Sequence, residues 1–263
     1  MARFSAWWGL LAVLTLCGCP APRIDPDVVR PASGSPLLKS IPGPLGIFDS
    51  YNEALLATCQ KILEKPHASA GRQPPSTALR EEQDEFKLRW RVSTEYCAWM
   101  YYTPDGKYVV SKLTDQTKPQ PTDATKRCFL PSTVDDPRFP AGTIKYVFVL
   151  HNHPDDTPIS KDDVIYIVSQ GLKHGFTVQT KDGDLRLSII AFFSNNHVEP
   201  TCDGLYVYSP EAGRILKYTR NQGLWHCEQT HIVEWNGADD DSGDALIPTI
   251  TPAGAPCPRK EAP

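Results

Sequence analysis

The sequence lacks an excess of charge of either sign. Its 27 lysine and arginine residues stand against 31 aspartate and glutamate residues, which gives a net charge of −4 and a pI near 6.0. This balance provides no positive field for a polyanion, so we expect no nucleic-acid partner. Internal repeats are also absent, and 40% hydrophobic with 22% charged residues excludes a collagen, a coiled coil and a wholly disordered chain. A globular protein with one sizeable core remains.

The sequence also lacks an apolar run long enough for a permanent transmembrane helix. The run at residues 7–16 has ten residues, whereas about 20 are needed to span a bilayer. Leu16-Cys17-Gly18-Cys19 follows this run and resembles the lipobox of a bacterial lipoprotein. We therefore expect residues 1–18 to be a signal peptide and Cys19 to be lipidated, which anchors the protein to the outer membrane, facing the periplasm or the exterior. A plain secretory signal is the alternative.

Cysteine pairs at the C-x-x-C spacing of a structural zinc site are missing as well. An exported chain meets an oxidising environment, so we expect at least four of the six cysteines that follow Cys19 to be in disulfides. The proximity of Cys202 and Cys227 in the sequence favours a bond between these two. The six are Cys59, Cys97, Cys128, Cys202, Cys227 and Cys257.

Composition divides the rest of the chain into four regions. The prolines of residues 19–45 predict an extended tether that holds the folded body away from the membrane. Residues 46–195 alternate between helical and strand patterns, which predicts an α/β domain. Residues 196–235 are expected to form a β-hairpin extension. The acidic and proline-rich residues 236–263 predict a disordered tail.

Hydrophobic periodicity and turn signals locate the main elements. Ser50 and Ser160 are each expected to cap a helix, the first ending near residue 63 and the second near residue 173. The alternating, aromatic-rich residues 86–102 favour a strand. Residues 144–150 are almost continuously apolar, which is typical of a buried central strand. Hairpins are expected around residues 181–184 and 210–213.

The residues that follow the buried strand carry the chemistry. His151 and His153 lie two positions apart and therefore share a face of the strand, and Asp163 lies in the first turn of the next predicted helix. Two histidines and a carboxylate with one open position can hold a catalytic zinc, and a water at that position has its pKa lowered to about 7. Glu95, on the predicted aromatic strand, is the candidate general base.

These residues resemble a known signature. His151-Asn152-His153-Pro154 and Ser160-Lys161-Asp162-Asp163 are similar to the motif of the JAB/MPN (JAMM) metallopeptidases, with a glutamate on an earlier strand. The resemblance covers about residues 48–195. A second group of residues looks like a bacterial branch of unassigned function at the ends of RHS-repeat toxins: Glu95-Tyr96, Tyr101-Tyr102 and Asp105-Gly106-Lys107-Tyr108. The family resemblance implies a mixed sheet flanked by helices, here with a β-rich C-terminal extension.

The resemblance also implies roles for individual residues. His151, His153 and Asp163 would be the zinc ligands, Glu95 would carry the proton, and Ser160 would steady the oxyanion. The implied activity is hydrolysis of peptide or isopeptide bonds in an unidentified peptide or protein substrate, with a cell-wall peptide or a protein tail as the fallback.

Several alternatives stay open. Ser160 and Asp163 form a capping box by themselves, which would only start a helix. Cys97 shares the face of Glu95, where its thiol could bind or crowd the metal, or form a disulfide with Cys59 or Cys128. The whole domain could be a non-catalytic binding module of the cell envelope or a toxin-like effector.

Overall fold

The computed structural model describes residues 25–31, 35–116, 126–140, 142–236 and 247–258, and the predictions for Cys19 and the leader lie outside these residues. The fold is mixed α/β and mostly sheet, with the helices α1 (Tyr51–Leu63), α2 (Arg80–Val92) and α3 (Lys161–His174). No helix in the described part of the chain has the length and apolar content needed to cross a membrane. The strands are β1 (Ile41–Pro42), β2 (Gly46–Phe48), β3 (Cys97–Tyr102), β4 (Tyr108–Val110), β5 (Val134–Asp135), β6 (Lys145–Asn152), β7 (Thr177–Thr180), β8 (Gly183–Arg186), β9 (Ser188–Phe193), β10 (Gly204–Ser209), β11 (Arg214–Asn221), β12 (Leu224–Asn236) and β13 (Ile247–Pro256).

Nine of these strands form one mixed sheet in the order β13-β12-β11-β10-β9-β6-β3-β4-β2. Within this sheet β6 and β9 are parallel, and the other neighbours are antiparallel. A parallel pair needs a crossover connection, and α3 with the small β7–β8 hairpin provides it. The strand β6 therefore lies in the interior of the sheet, between β3 and β9.

Helices cover both faces of the sheet, which we call the α1 face and the α3 face. The α1 face packs Leu55 and Ile62 of α1 against strand residues such as Leu150. The α3 face packs Val164 and Ile167 of α3 against Trp99, Ala191 and their neighbours. Because side chains alternate along a strand, consecutive residues of β6 point to opposite faces.

The sequence patterns located several elements correctly. Ser50 caps α1 by accepting a bond from the backbone N–H of Glu53 at 3.2 Å, and Ser160 caps α3, which ends before Gly175. The predicted buried strand is β6, and the hairpins predicted around residues 181–184 and 210–213 are β7–β8 and β10–β11.

The strand predicted over residues 86–102 is wrong in its first half, where the chain forms α2. Acidic residues in the first turn of α2 and basic residues in its last turn suit the helix dipole. Its aromatic residues suggested a strand, but only Phe86 of α2 is buried. The strand β3 begins at Cys97, so Glu95 lies just before it.

The predicted tether is also wrong for its described residues, because they pack on the body. The backbone N–H of Val29 donates to the carbonyl of Leu113 at 2.8 Å, and Lys65 forms an ion pair with Asp25 at 2.8 Å. Ile41 is fully buried. Residues 25–31 and 35–45 are thus attached to the folded body.

The predicted disordered tail contains a strand, β13, which pairs with β12 at the edge of the sheet. Proline is tolerated on an edge strand, which explains why a proline-rich composition misled the prediction. The sheet also runs from β9 into β10 without a break, so the predicted extension belongs to the same body.

All six cysteines that follow Cys19 form disulfides, which confirms that at least four of them are oxidised. The bonds are Cys59–Cys202, Cys97–Cys128 and Cys227–Cys257. The predicted Cys202–Cys227 bond is wrong, because Cys202 lies on the α1 face beside Cys59, whereas the strand pairing of β12 with β13 brings Cys227 close to Cys257. Of the two partners considered for Cys97, Cys128 is the one observed.

Candidate metal centre

The C-terminal end of β6 presents two imidazoles on the α3 face. His151 is paired in register with Cys97 of β3 and Ala191 of β9. The backbone N–H of His153 donates to the carbonyl of Phe192 at 2.8 Å, which continues the pairing beyond the last residue of the strand. Both histidines are buried, with 4% and 6% of their surface exposed. The predicted orientation toward one site is therefore correct.

The third residue is held by the start of α3. The Ser160 hydroxyl oxygen accepts from the Asp163 N–H at 3.2 Å, and Asp163 Oδ2 accepts from the Ser160 N–H at 3.0 Å. This is the capping box that the sequence also predicted. The Ser160 hydroxyl in turn donates to the same Oδ2 at 2.6 Å. Cap and site coexist, because the second carboxylate oxygen, Oδ1, still faces His151.

Donor atoms of the three side chains converge on one point. His151 Nε2 lies 3.0 Å from His153 Nε2 and 3.7 Å from Asp163 Oδ1, and His153 Nε2 lies 3.6 Å from Asp163 Oδ2. Two ligands at 2.0–2.1 Å from a tetrahedral ion are about 3.3 Å apart. The observed separations bracket this value, so the group could hold a metal ion in a tetrahedral arrangement.

The ring orientations suit this geometry. His153 Nδ1 lies 2.7 Å from the carbonyl oxygen of Thr157, which only accepts, so Nδ1 carries a proton and Nε2 faces the other two ligands. Hydrogen bonds of this kind from a ligand histidine orient the ring in metal sites. His151 Nδ1 is buried, and a bond to the backbone of Ile190 opposes the lowering of the pKa of His151 by burial.

Glu95 lies beside the three residues and outside the converging group. Extending the antiparallel register of Cys97 with His151 by two residues places Glu95 opposite His153, on the same face. Glu95 is 8% exposed, and the backbone N–H of Cys128 bonds to its carboxylate. Burial, opposed by the positive field of His153, raises the pKa of Glu95 to about 8.

The electrostatics of the site favour a positive charge among these groups. Although burial opposes protonation, the Asp163 carboxylate and Glu95 raise the pKa of His153 to about 9. Burial lowers the pKa of His151 to about 4, and the two histidines hold the pKa of Asp163 well below its usual range despite burial. A divalent cation at this point would replace the proton on His153 and be stabilised by the same carboxylate.

Sequence reasoning missed two residues that position the site, Asn152 and Thr157. Asn152 is fully buried on the α1 face; its amide donates to the carbonyls of Ala68 at 2.6 Å and Thr94 at 3.0 Å, and its Oδ1 accepts from the Tyr96 N–H at 2.7 Å. It therefore fixes both neighbours of Glu95. The position of Asn152 between the two histidines could have drawn attention to it, but the residues to which it bonds are distant in the sequence. No sequence pattern identified Thr157.

One alternative raised by the sequence concerned Cys97, which lies on the same face as the site. Cys97 is not a ligand, because its sulfur is bonded to Cys128. Comparison of the chain with family models, with curated proteins and with solved structures finds no match in any of the three. The geometry thus establishes a group that could bind a metal ion on a mixed α/β sheet, and the resemblance to JAB/MPN proteins rests on the motif residues.

Proposed function

We propose that the chain is a zinc-dependent hydrolase of amide bonds of the JAB/MPN type, anchored to the bacterial outer membrane by a lipid on Cys19. The observation that carries the proposal is the convergence of His151, His153 and Asp163 with the buried carboxyl group of Glu95 beside them. Two imidazoles and a carboxylate with an open position are a donor set that catalytic zinc takes. The substrate class is a peptide or protein with a peptide or isopeptide bond.

Zinc held by the three ligands would supply a Lewis acid and lower the pKa of a water molecule. The other steps belong to the protein. A cation on the three ligands would favour the ionised form of Glu95 and oppose the effect of burial on its pKa. A carboxylate oxygen of Glu95 then takes the proton of the attacking water and delivers it to the leaving amide nitrogen as the C–N bond breaks. The bond from the Cys128 N–H and the bonds of Asn152 to both flanking residues hold Glu95 in place for this transfer.

Ser160 has a different role in the observed arrangement from the one that the family resemblance implies. Its hydroxyl proton is engaged with Asp163 Oδ2 at 2.6 Å, so Ser160 orients a ligand carboxylate. To stabilise an oxyanion, the hydroxyl would first have to leave Asp163. This engagement favours a second candidate function, a metal-stabilised binding module of the envelope without catalysis.

Metal analysis and one substitution separate the two functions. We expect the purified full chain to contain about one zinc, and Glu95→Gln to keep that zinc while hydrolysis of a peptide digest, followed by mass spectrometry, falls by about 10²–10⁴-fold. His153→Ala should lose both. Glu199→Gln, on an exposed loop, is the matched control. Zinc without hydrolysis in the parent chain would favour the binding module, and a chain without metal would refute both.

A further inference from the structure

Three residues next to the candidate metal centre form a half-buried network that we call the Asp156 brace, made of Asp156, Tyr206 and Lys217. The Tyr206 hydroxyl donates to Asp156 Oδ1 at 2.7 Å, and the Lys217 ammonium donates to Asp156 Oδ2 at 2.7 Å. Tyr206 is only 4% exposed, and the Lys217 ammonium lies over its ring and that of Phe193. Both carboxylate oxygens of Asp156 are thus bound by donors on the rigid sheet.

The brace acts on the residue that orients a ligand. Asp156 precedes Thr157, whose carbonyl oxygen accepts from His153 Nδ1 at 2.7 Å. The Thr157 N–H is itself bonded to the carbonyl of Asp155 at 2.8 Å. The loop therefore has two fixed points, the end of β6 and the brace, and the carbonyl that contacts His153 comes directly after the brace.

Strand register explains how a distant part of the chain reaches this loop. Ala191 pairs with both His151 and Tyr206, and Tyr206 pairs with Lys217, so these four residues form one row across the α3 face. Two strand spacings of about 4.8 Å separate the backbones of His151 and Tyr206. The small side chain of Ala191 lies between them, and the loop with Asp156 spans the same gap.

We propose that Tyr206 and Lys217 are positioning residues of the metal centre. Through Asp156 they fix the Thr157 carbonyl, and this carbonyl holds the His153 ring with Nδ1–H bonded and Nε2 directed at a divalent cation. The inference rests on the proposed function of His151, His153 and Asp163 as ligands. It makes the hairpin β10–β11, which the sequence placed outside the domain, a component of the site.

The test measures zinc affinity of the full chain by competition with a chromophoric chelator. Partners behind the ligands of a metal site typically change affinity by about 10–100-fold when removed, and we expect this loss for Lys217→Met and about tenfold for Tyr206→Phe. Lys217→Arg should restore affinity to within about threefold, because the guanidinium also donates to a carboxylate. Lys145→Met is the control, since this exposed lysine lies at the opposite end of β6.

A second readout works without metal. The Nδ1–H proton of His153, identified by its loss in His153→Gln, should exchange slowly in the parent chain and rapidly in Lys217→Met and Tyr206→Phe. Thermal unfolding reports whether each variant is folded, and Tyr206→Phe, which removes one oxygen atom, decides the case if Lys217→Met does not fold. Unchanged zinc affinity and unchanged proton exchange in folded variants would overturn the proposal. A parent chain that binds no zinc refutes the proposed function instead, while the exchange of the His153 proton still tests the brace.

Discussion

At the end of β6, neighbouring residues point to opposite faces of the sheet, and the polar atoms on the two faces have different kinds of partner. Asn152 points to the α1 face, where each of its three hydrogen bonds ends on the backbone of the same chain. His151 and His153 point to the α3 face, where their Nε2 atoms face each other and Asp163. A buried polar group with complete partners stabilises the architecture, whereas a set of donors aimed at one point is available to a ligand.

The largest expected effect is the loss of the disulfide on the α1 face. Cys59→Ser with Cys202→Ser opens a loop of 143 residues, and loop-closure entropy gives a loss of ~5 kcal/mol in the free energy of unfolding. Urea unfolding under non-oxidising conditions measures this, and zinc affinity measured below the transition should stay within about threefold of the parent.

The matched change on the α3 face is Cys97→Ser with Cys128→Ser. The shorter separation of 31 residues predicts a smaller loss of ~4 kcal/mol in the free energy of unfolding. Because Cys128 also bonds to Glu95, we expect this variant to bind zinc more weakly as well. If the Cys59–Cys202 variant lost zinc and the Cys97–Cys128 variant kept it, the assignment of the architecture to the α1 face and of the metal centre to the α3 face would be wrong.

The next effect comes from Asn152→Ala. The substitution leaves the Tyr96 N–H and the carbonyls of Ala68 and Thr94 buried without their partner, so we expect a loss of about 3 kcal/mol in the free energy of unfolding. Zinc affinity should fall by less than about tenfold, since the ligands are not changed. Asn195→Ala, which removes a single 3.5 Å contact with Arg72, should cost less than about 0.5 kcal/mol. A stable Asn152→Ala protein that has lost zinc binding would contradict the assignment of Asn152 to the architecture.

The elements that the sequence predicted are those with local signals. Ser50 and Ser160 cap helices through bonds to residues three positions away, and β6 is buried on both faces, so its apolar run is visible in the sequence. The misplaced elements depend on tertiary contacts that their own composition does not indicate. The proline-containing β13 is a strand because it pairs with β12 at the edge of the sheet, and residues 25–31 are held by Leu113 and Lys65, which are far along the chain.

The site likewise has one part that a local sequence signal predicts and one part that it does not. The candidate ligands His151, His153 and Asp163 lie within 13 residues, so their spacing in the sequence was enough to predict that they come together. The residues that brace the loop after His153 lie outside this segment. Tyr206 and Lys217 reach the loop through strand register. Strand register across four strands depends on the whole sheet, which no single motif describes.

The smallest effect is expected for Ser160→Ala. Losing the cap of α3 should lower the free energy of unfolding by about 1 kcal/mol. Because Ser160 also orients Asp163, zinc affinity should fall by about tenfold. Calorimetry and chelator competition measure the two effects separately. A fall in kcat of about 10²–10³-fold with unchanged zinc affinity would instead assign Ser160 to the oxyanion, as the family resemblance implies.

The attachment of residue 25 to the body limits how far a membrane-anchored form of this protein can reach. Six peptide units connect Cys19 to Asp25, which span at most about 20 Å when fully extended. In a chain lipidated at Cys19, Asp25 would therefore lie within that distance of the bilayer, and its ion pair with Lys65 would hold the segment after α1 near it. A partner held in the same layer would then meet the protein at a higher effective concentration than a freely diffusing one.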